Sequence, residues 1–195
     1  MNHEQMLESA IRSLMAMRPR VLVAIDGMAA SGKTTLAGAV AQRIPGCAVV
    51  HMDDFTVPFE DRYPGYFDKT LSNADIARFD REVLSPLARG SSASYRPYRC
   101  HPVPGFGKAI QIPESCPVVI VEGAYCLHDD LWDRYDLHAL MTIAPDTQRI
   151  RILARNGAAQ LERFLSSWIP MELAHISARR LHERCELIFS EEKAT

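Results

Sequence analysis

The sequence predicts an α/β fold: a three-layer αβα sandwich around a mostly parallel five-stranded sheet, with a short helical lid. Three observations carry the prediction. Apolar, β-branched runs that read as buried strands alternate with stretches of helical period. The first such run passes directly into a glycine-rich segment of the kind that cradles phosphate. Acidic residues stand at the ends of several runs, which is where parallel sheets bind their ligands. With 195 residues and 47% hydrophobic content, one domain spanning 1–195 with a full core is expected.

Taken in order, Leu7, Ile11, Leu14 and Met15 recur at helical spacing, so residues 4–17 form an amphipathic helix that Pro19 ends. Val21–Ile25 is the first strand, Thr34–Arg43 a helix, and Ala48–Met52 a second short strand. Residues 56–71 hold Pro58, Pro64 and Gly65 among aromatics and read as an ordered excursion. Asn73 can cap a helix with Ile76, Phe79, Val83, Leu84 and Leu87 on its face. Residues 89–117, rich in Gly, Ser and Pro, show no helical period and read as a long functional loop. Val118–Val121 is the clearest later strand and Leu137–Ile143 the fourth. A helix from Pro145 to Ala154 follows, then a stretch over 158–183 that Pro170 should kink, then a fifth strand at Leu187–Phe189.

Gly27 to Thr34 reads G-M-A-A-S-G-K-T and fits G-x-x-x-x-G-K-[ST] at every required position, with a strand before and a helix after. This is the P-loop NTPase arrangement. The candidate ATP-binding set is Gly27, Ala29, Ala30, Ser31, Gly32, Lys33, Thr34 and Thr35. Glycines let successive N–H groups turn toward phosphate oxygens, Lys33 reaches the terminal phosphates, and the Thr34 hydroxyl binds Mg²⁺. The helix that begins there adds its positive end.

Phosphoryl transfer needs an aligned acceptor, a metal and positive charge on the migrating group. Asp53, just past the second strand, is the candidate base for an acceptor hydroxyl, while Asp54 points elsewhere if the chain stays extended. Glu122, ending an apolar strand, is a candidate for Mg²⁺; Asp26 reads as a brace for the loop backbone. Arg149, Arg151 and Arg155 share one helix, with Arg151 and Arg155 on one face, and Arg155 is the candidate catalytic clamp beside Lys33. His175 and His182 lie seven apart without a third ligand, so no metal site is read there. Trp168-Ile169-Pro170 reads as core at the kink. Tyr98 either plugs the long loop onto the core or touches a base.

A formal charge of −2 without single-sign runs excludes a nucleic-acid-binding class and points to a small-molecule partner. Apolar runs stop far short of a membrane span, and no signal-peptide block opens the chain. Five scattered cysteines without a C-x-x-C pair predict reduced thiols and a cytoplasmic protein.

These residues together resemble the uridine kinase family, within the wider group containing phosphoribulokinase and bacterial pantothenate kinase. Ile25 to Thr35 is similar to its phosphate loop, Met52-Asp53-Asp54-Phe55 to its D-[DS]-F segment, Asp75 to Leu87 to the helix after its substrate loop, and Val119 to Gly123 to its V-E-G turn. The resemblance implies ATP-dependent phosphorylation of a nucleoside 5′-hydroxyl, with Asp53 as base and Lys33, Thr34 and Glu122 serving ATP and Mg²⁺. It also implies Asp68 on the ribose hydroxyls, Tyr98 beside the base, Arg155 as the first lid arginine, and a homo-oligomer. Arg99 departs from the pattern, standing where the family carries an acid, which makes it a candidate acceptor contact. Later lid arginines give way to Asn156-Gly157-Ala158-Ala159-Gln160, with Arg163 the nearest cation. A uridine- or cytidine-like nucleoside is the expected acceptor. Another hydroxylated metabolite, such as pantothenate or a sugar, is the alternative; a non-kinase nucleotide-binding regulator is the rival outside the class.

Overall fold

Strands and helices alternate from the start of the chain, as the periodicity requires. The structure, a computed structural model, describes residues 1–62 and 73–191. Its strands are β1 (Val21–Gly27), β2 (Ala48–His51), β3 (Ala93–Tyr95), β4 (Tyr98–Arg99), β5 (Gly105–Phe106), β6 (Ile110–Ile112), β7 (Val118–Glu122), β8 (Leu137–Ile143) and β9 (Leu187–Glu191). Five of them form one sheet in the order β2-β7-β1-β8-β9, every neighbouring pair parallel.

The two faces of that sheet are covered separately. Side chains alternate along β1, so Val21, Val23 and Ile25 meet Leu7 and Ile11 of the helix His3–Met15 and Leu36 and Val40 of the helix Lys33–Ala41. Leu22 and Ala24 face the opposite core, with Phe55, Phe79, Val83, Leu131 and Ile176. Each fully buried Leu, Ile or Phe contributes roughly 2 kcal/mol of transfer free energy. Register then sets the site: Ile25 lies level with Glu122, and Glu122 level with His51. The carboxyl ends of β2, β7 and β1 therefore open at one height.

The helix expected over 4–17 occupies His3–Met15, where Asn2 and Gln5 cap each other reciprocally. The Asn73-capped helix is instead capped by Asp75, whose carboxylate accepts the Arg78 N–H at 2.9 Å. It runs Ile76–Phe79, widens into a π-turn at Asp80–Leu84, and ends at Ser85–Ala88. Residues 89–117 are not an irregular loop: β3 pairs with β6 and β4 with β5, each antiparallel. Arg20 fastens the base of this excursion by donating to the carbonyls of Leu87, Ser91, Glu114 and Cys116. The kink expected at Pro170 takes the form of a π-turn, Phe164–Trp168, between the helices Ala158–Arg163 and Ile169–Ala178. Pro170 has no N–H to return, so the preceding turn widens. Among the described residues no helix is long and apolar enough to cross a membrane, and all five cysteines are free.

Candidate active site

The phosphate loop leaves the central strand at Gly27, whose φ of +139° and surroundings demand glycine. A Cβ there would stand 2.0 Å from the Met141 carbonyl oxygen. Two later helices hold the loop from outside. In Pro145–Asn156, Gln148 Nε2 donates to the Ala29 carbonyl at 2.9 Å, and an Arg151 Nη donates to the Ala30 carbonyl at 3.1 Å. In Ile169–Ala178, Glu172 Oε2 accepts the Ala29 N–H at 2.8 Å. Lys33 is folded over the loop, its Nζ donating to the Gly27 and Met28 carbonyls at 2.9 and 2.8 Å.

Asp26 braces more than its own loop. Its carboxylate accepts the N–H groups of Gly27, Tyr125 and Leu127 at 2.6, 3.2 and 2.8 Å, and His175 Nε2 lies 2.9 Å away. Burial pushes its carboxyl upward, but His175, Leu127 and Lys33 outweigh this and hold it below its ordinary value. One buried acid thus ties β1, the loop after β7 and the helix Ile169–Ala178 together.

Asp53 and Asp54 part company because the chain does not stay extended. Met52–Phe55 is a 3₁₀ turn. It leaves Asp53 open to the cavity and turns Asp54 into the interior, 1% exposed, where it meets Arg99 Nη1 at 2.5 Å and the Tyr95 hydroxyl at 3.2 Å. Enclosure and the Glu122 charge raise the Asp53 carboxyl above its ordinary value, against the pull of Lys33 and His51. Glu122 Oε1 accepts the Thr34 hydroxyl at 3.1 Å and lies 2.6 Å from His51 Nδ1. That contact raises the His51 ring above its ordinary value, against desolvation.

A cavity of about 880 Å³ runs between these elements. It brings together Ala29, Ala30, Gly32, Lys33, Thr34 and Thr35 with Asp53, Glu122, Tyr98, Arg99 and Arg155. Gly27 and Ser31 lie buried beneath the loop instead, and Asp68 lies outside the described residues, as do Tyr63 and Tyr66. Tyr98 reaches the cavity wall but is a plug: it is 2% exposed, its hydroxyl accepts from Phe59 N and donates to Glu60. Arg155 is exposed, with Nε donating to Asn156 Oδ1 at 2.7 Å. Arg151, expected on the same face, lines the cavity too, while donating to the Ala30 carbonyl and pairing with Glu191. Trp168, expected in the core, lines the cavity with Phe164. Sequence reasoning did not single out Glu172 or assign His175 to Asp26. An acid in the otherwise apolar run Ile169 to Ala174, three residues before a histidine, was the available signal.

No protein-family model matches the chain. Nicotinamide riboside kinase of Eremothecium gossypii is 30% identical over 177 residues, covering 81% of this chain and 73% of that protein. A possible uridine kinase from Bacillus stearothermophilus superimposes with a TM-score of 0.65 at 18% identity, over 94% of this chain and 98% of the other. Phosphoribulokinase from Rhodobacter spheroides does so with a TM-score of 0.63 at 11% identity, over 88% and 70%. The shared phosphate loop, the parallel sheet and the sequence relationship together lead to one conclusion: the chain belongs to the uridine kinase-like P-loop kinases, phosphotransferases with an alcohol group as acceptor.

Proposed function

We propose that this kinase transfers the γ-phosphoryl group of ATP to a hydroxyl of a nucleoside of the uridine or cytidine type. The observation that carries the reading is the shared cavity. Lys33, Thr34 and the exposed loop residues stand on one side, and the Asp53 carboxylate faces the same space. In this reading Asp53 orients the acceptor hydroxyl and takes its proton; its raised proton affinity suits a base. Lys33 exchanges its two carbonyl partners for phosphate oxygens, and Arg155 adds positive charge from the lid side. Thr34 and Glu122 already meet through hard oxygens, the donor type that suits Mg²⁺, so these two residues would hold it. Mg²⁺ bound there would neutralise charge on the phosphates. The helices Ala158–Arg163 and Ile169–Ala178, with the turn between them, exclude water from the transferring group.

A second reading, another hydroxylated metabolite such as pantothenate or a sugar, is favoured by Arg99. It lines the cavity, anchored on Asp54, where a uridine kinase pattern calls for an acid. Coupled ADP-release assays with uridine, cytidine, nicotinamide riboside, pantothenate and sugars test both. Acceptor-stimulated turnover is expected with a nucleoside, falling about 10²–10⁴-fold in Asp53→Asn. Stimulation by pantothenate or a sugar alone selects the second reading. Identical ADP release with and without every acceptor contradicts both.

A further inference from the structure

Glu172 occupies an amide of the phosphate loop. It is 8% exposed, stands on the cavity wall, and accepts the Ala29 N–H at 2.8 Å. Ala29 is the third residue of the phosphate-loop pattern, so one loop donor is already satisfied by a carboxylate of the chain itself. The groups facing Glu172 come from several elements. Lys33 attracts its charge, Asp26 of β1 and Asp53 of the turn after β2 repel it, and the Tyr125 phenol feels it from the loop after β7. His175, nearly one turn further along the same helix, is committed to Asp26. Among the described residues, Glu172 therefore has the Lys33 cation and the Ala29 N–H in support, inside an enclosed space that a polyphosphate must enter.

A triphosphate drawn to Lys33 brings several negative charges beside this carboxylate, and like charges in an enclosed site cannot all persist. A neutral carboxyl resolves the conflict, because its O–H can donate to a phosphate oxygen while the Ala29 N–H is released to another.

We propose that Glu172 is a proton-taking contact for the nucleotide: ionised, it holds the Ala29 amide in the empty site, and on ATP binding it takes one proton from solvent and donates it in a hydrogen bond to a phosphate oxygen. This rests on the reading that ATP occupies the phosphate loop. The only bond formed is the new O–H of the carboxyl. Burial already pushes that carboxyl up to about 7, which makes the proton accessible near neutrality.

Calorimetric titration with ATP and Mg²⁺, without acceptor, tests this in two buffers of different ionisation enthalpy. Between about pH 6.5 and 8.5 the wild-type affinity should fall with rising pH, by up to about tenfold per unit above neutrality, with matching proton uptake. The nucleotide's own terminal phosphate pulls the other way, since it gains charge as pH rises. Glu172→Gln keeps a donor without a charge, and its affinity should lose that fall and exceed the wild-type value at the alkaline end. Equal proton uptake and equal pH slopes in the two proteins overturn the proposal. Should Glu172→Gln fail to fold, the wild-type slope decides: an affinity that stays level or rises with pH overturns it. Failure of ATP to bind at any pH is a different result; it removes the nucleotide reading of the loop, and this proposal with it.

Discussion

In the proposed reading Asp53 is the base for the acceptor hydroxyl, and its surroundings make a pH prediction with a definite sign. Enclosure and Glu122 raise its carboxyl, so the base becomes ionised only at a higher pH than an ordinary aspartate would. Acceptor-dependent turnover should fall on the acid side through this raised value, and a pH–rate profile with its acid limb in the ordinary aspartate range would contradict it. The same shift concerns stability. A raised carboxyl favours its neutral form in the fold, so the contribution is favourable at low pH and is lost as pH rises through the folded value. Asp53→Asn should therefore melt at the same or a higher temperature than the wild type at neutral pH, by scanning calorimetry, while losing turnover. Asp53 and Glu122 were legible in the sequence because each follows a short apolar run. Asp54 was set apart from Asp53 on the expectation of an extended chain; the 3₁₀ turn at Met52–Phe55 that in fact separates them leaves no periodic mark.

At the scale of elements, the helix Ile169–Ala178 is joined by polar contacts to the phosphate loop at Glu172 and to the end of β1 at His175. The Asp26–His175 contact is buried on both sides, 1% and 3% exposed, and satisfied by three backbone N–H groups besides. Leaving buried donors without their charged acceptor typically costs about 1–3 kcal/mol. Asp26→Asn should lower the unfolding free energy by that order in urea titrations at neutral pH; a change within about 0.5 kcal/mol would show the pair to be dispensable. Wild-type Asp26 lies below its ordinary value, so its contribution is present above the unfolded aspartate value and is lost as pH falls through the folded one. The sequence could not announce this network, because Asp26 and His175 are far apart in the chain and meet only when the sheet closes. The short ribbons β3–β6 and β4–β5 escaped for another reason: strands of two or three residues are too brief for alternation to register. Both π-turns were hidden because no residue type marks where a helix widens, although the second lies at the kink expected from Pro170.

Across the whole molecule, the parallel sheet and its two covered faces followed from the apolar runs Val21–Ile25, Val118–Val121 and Leu137–Ile143, which need no partner information to be read as buried. The cavity was legible on its loop side and less so on its far wall, where Phe164, Trp168 and Glu172 come from a helical stretch that reads as core. The two tryptophans divide in a useful way. Trp132 is clasped between His138, stacked at 4.0 Å, and Arg184, 3.8 Å above its ring, whereas Trp168 stands on the cavity wall. One indole is thus shielded from whatever enters, and the other looks directly at it. Intrinsic emission should shift on addition of ATP and Mg²⁺, the response vanishing in Trp168→Phe and surviving in Trp132→Phe; the reverse pattern would place the disturbance elsewhere. The enzyme carries its own optical gauge and the reference against which to read it.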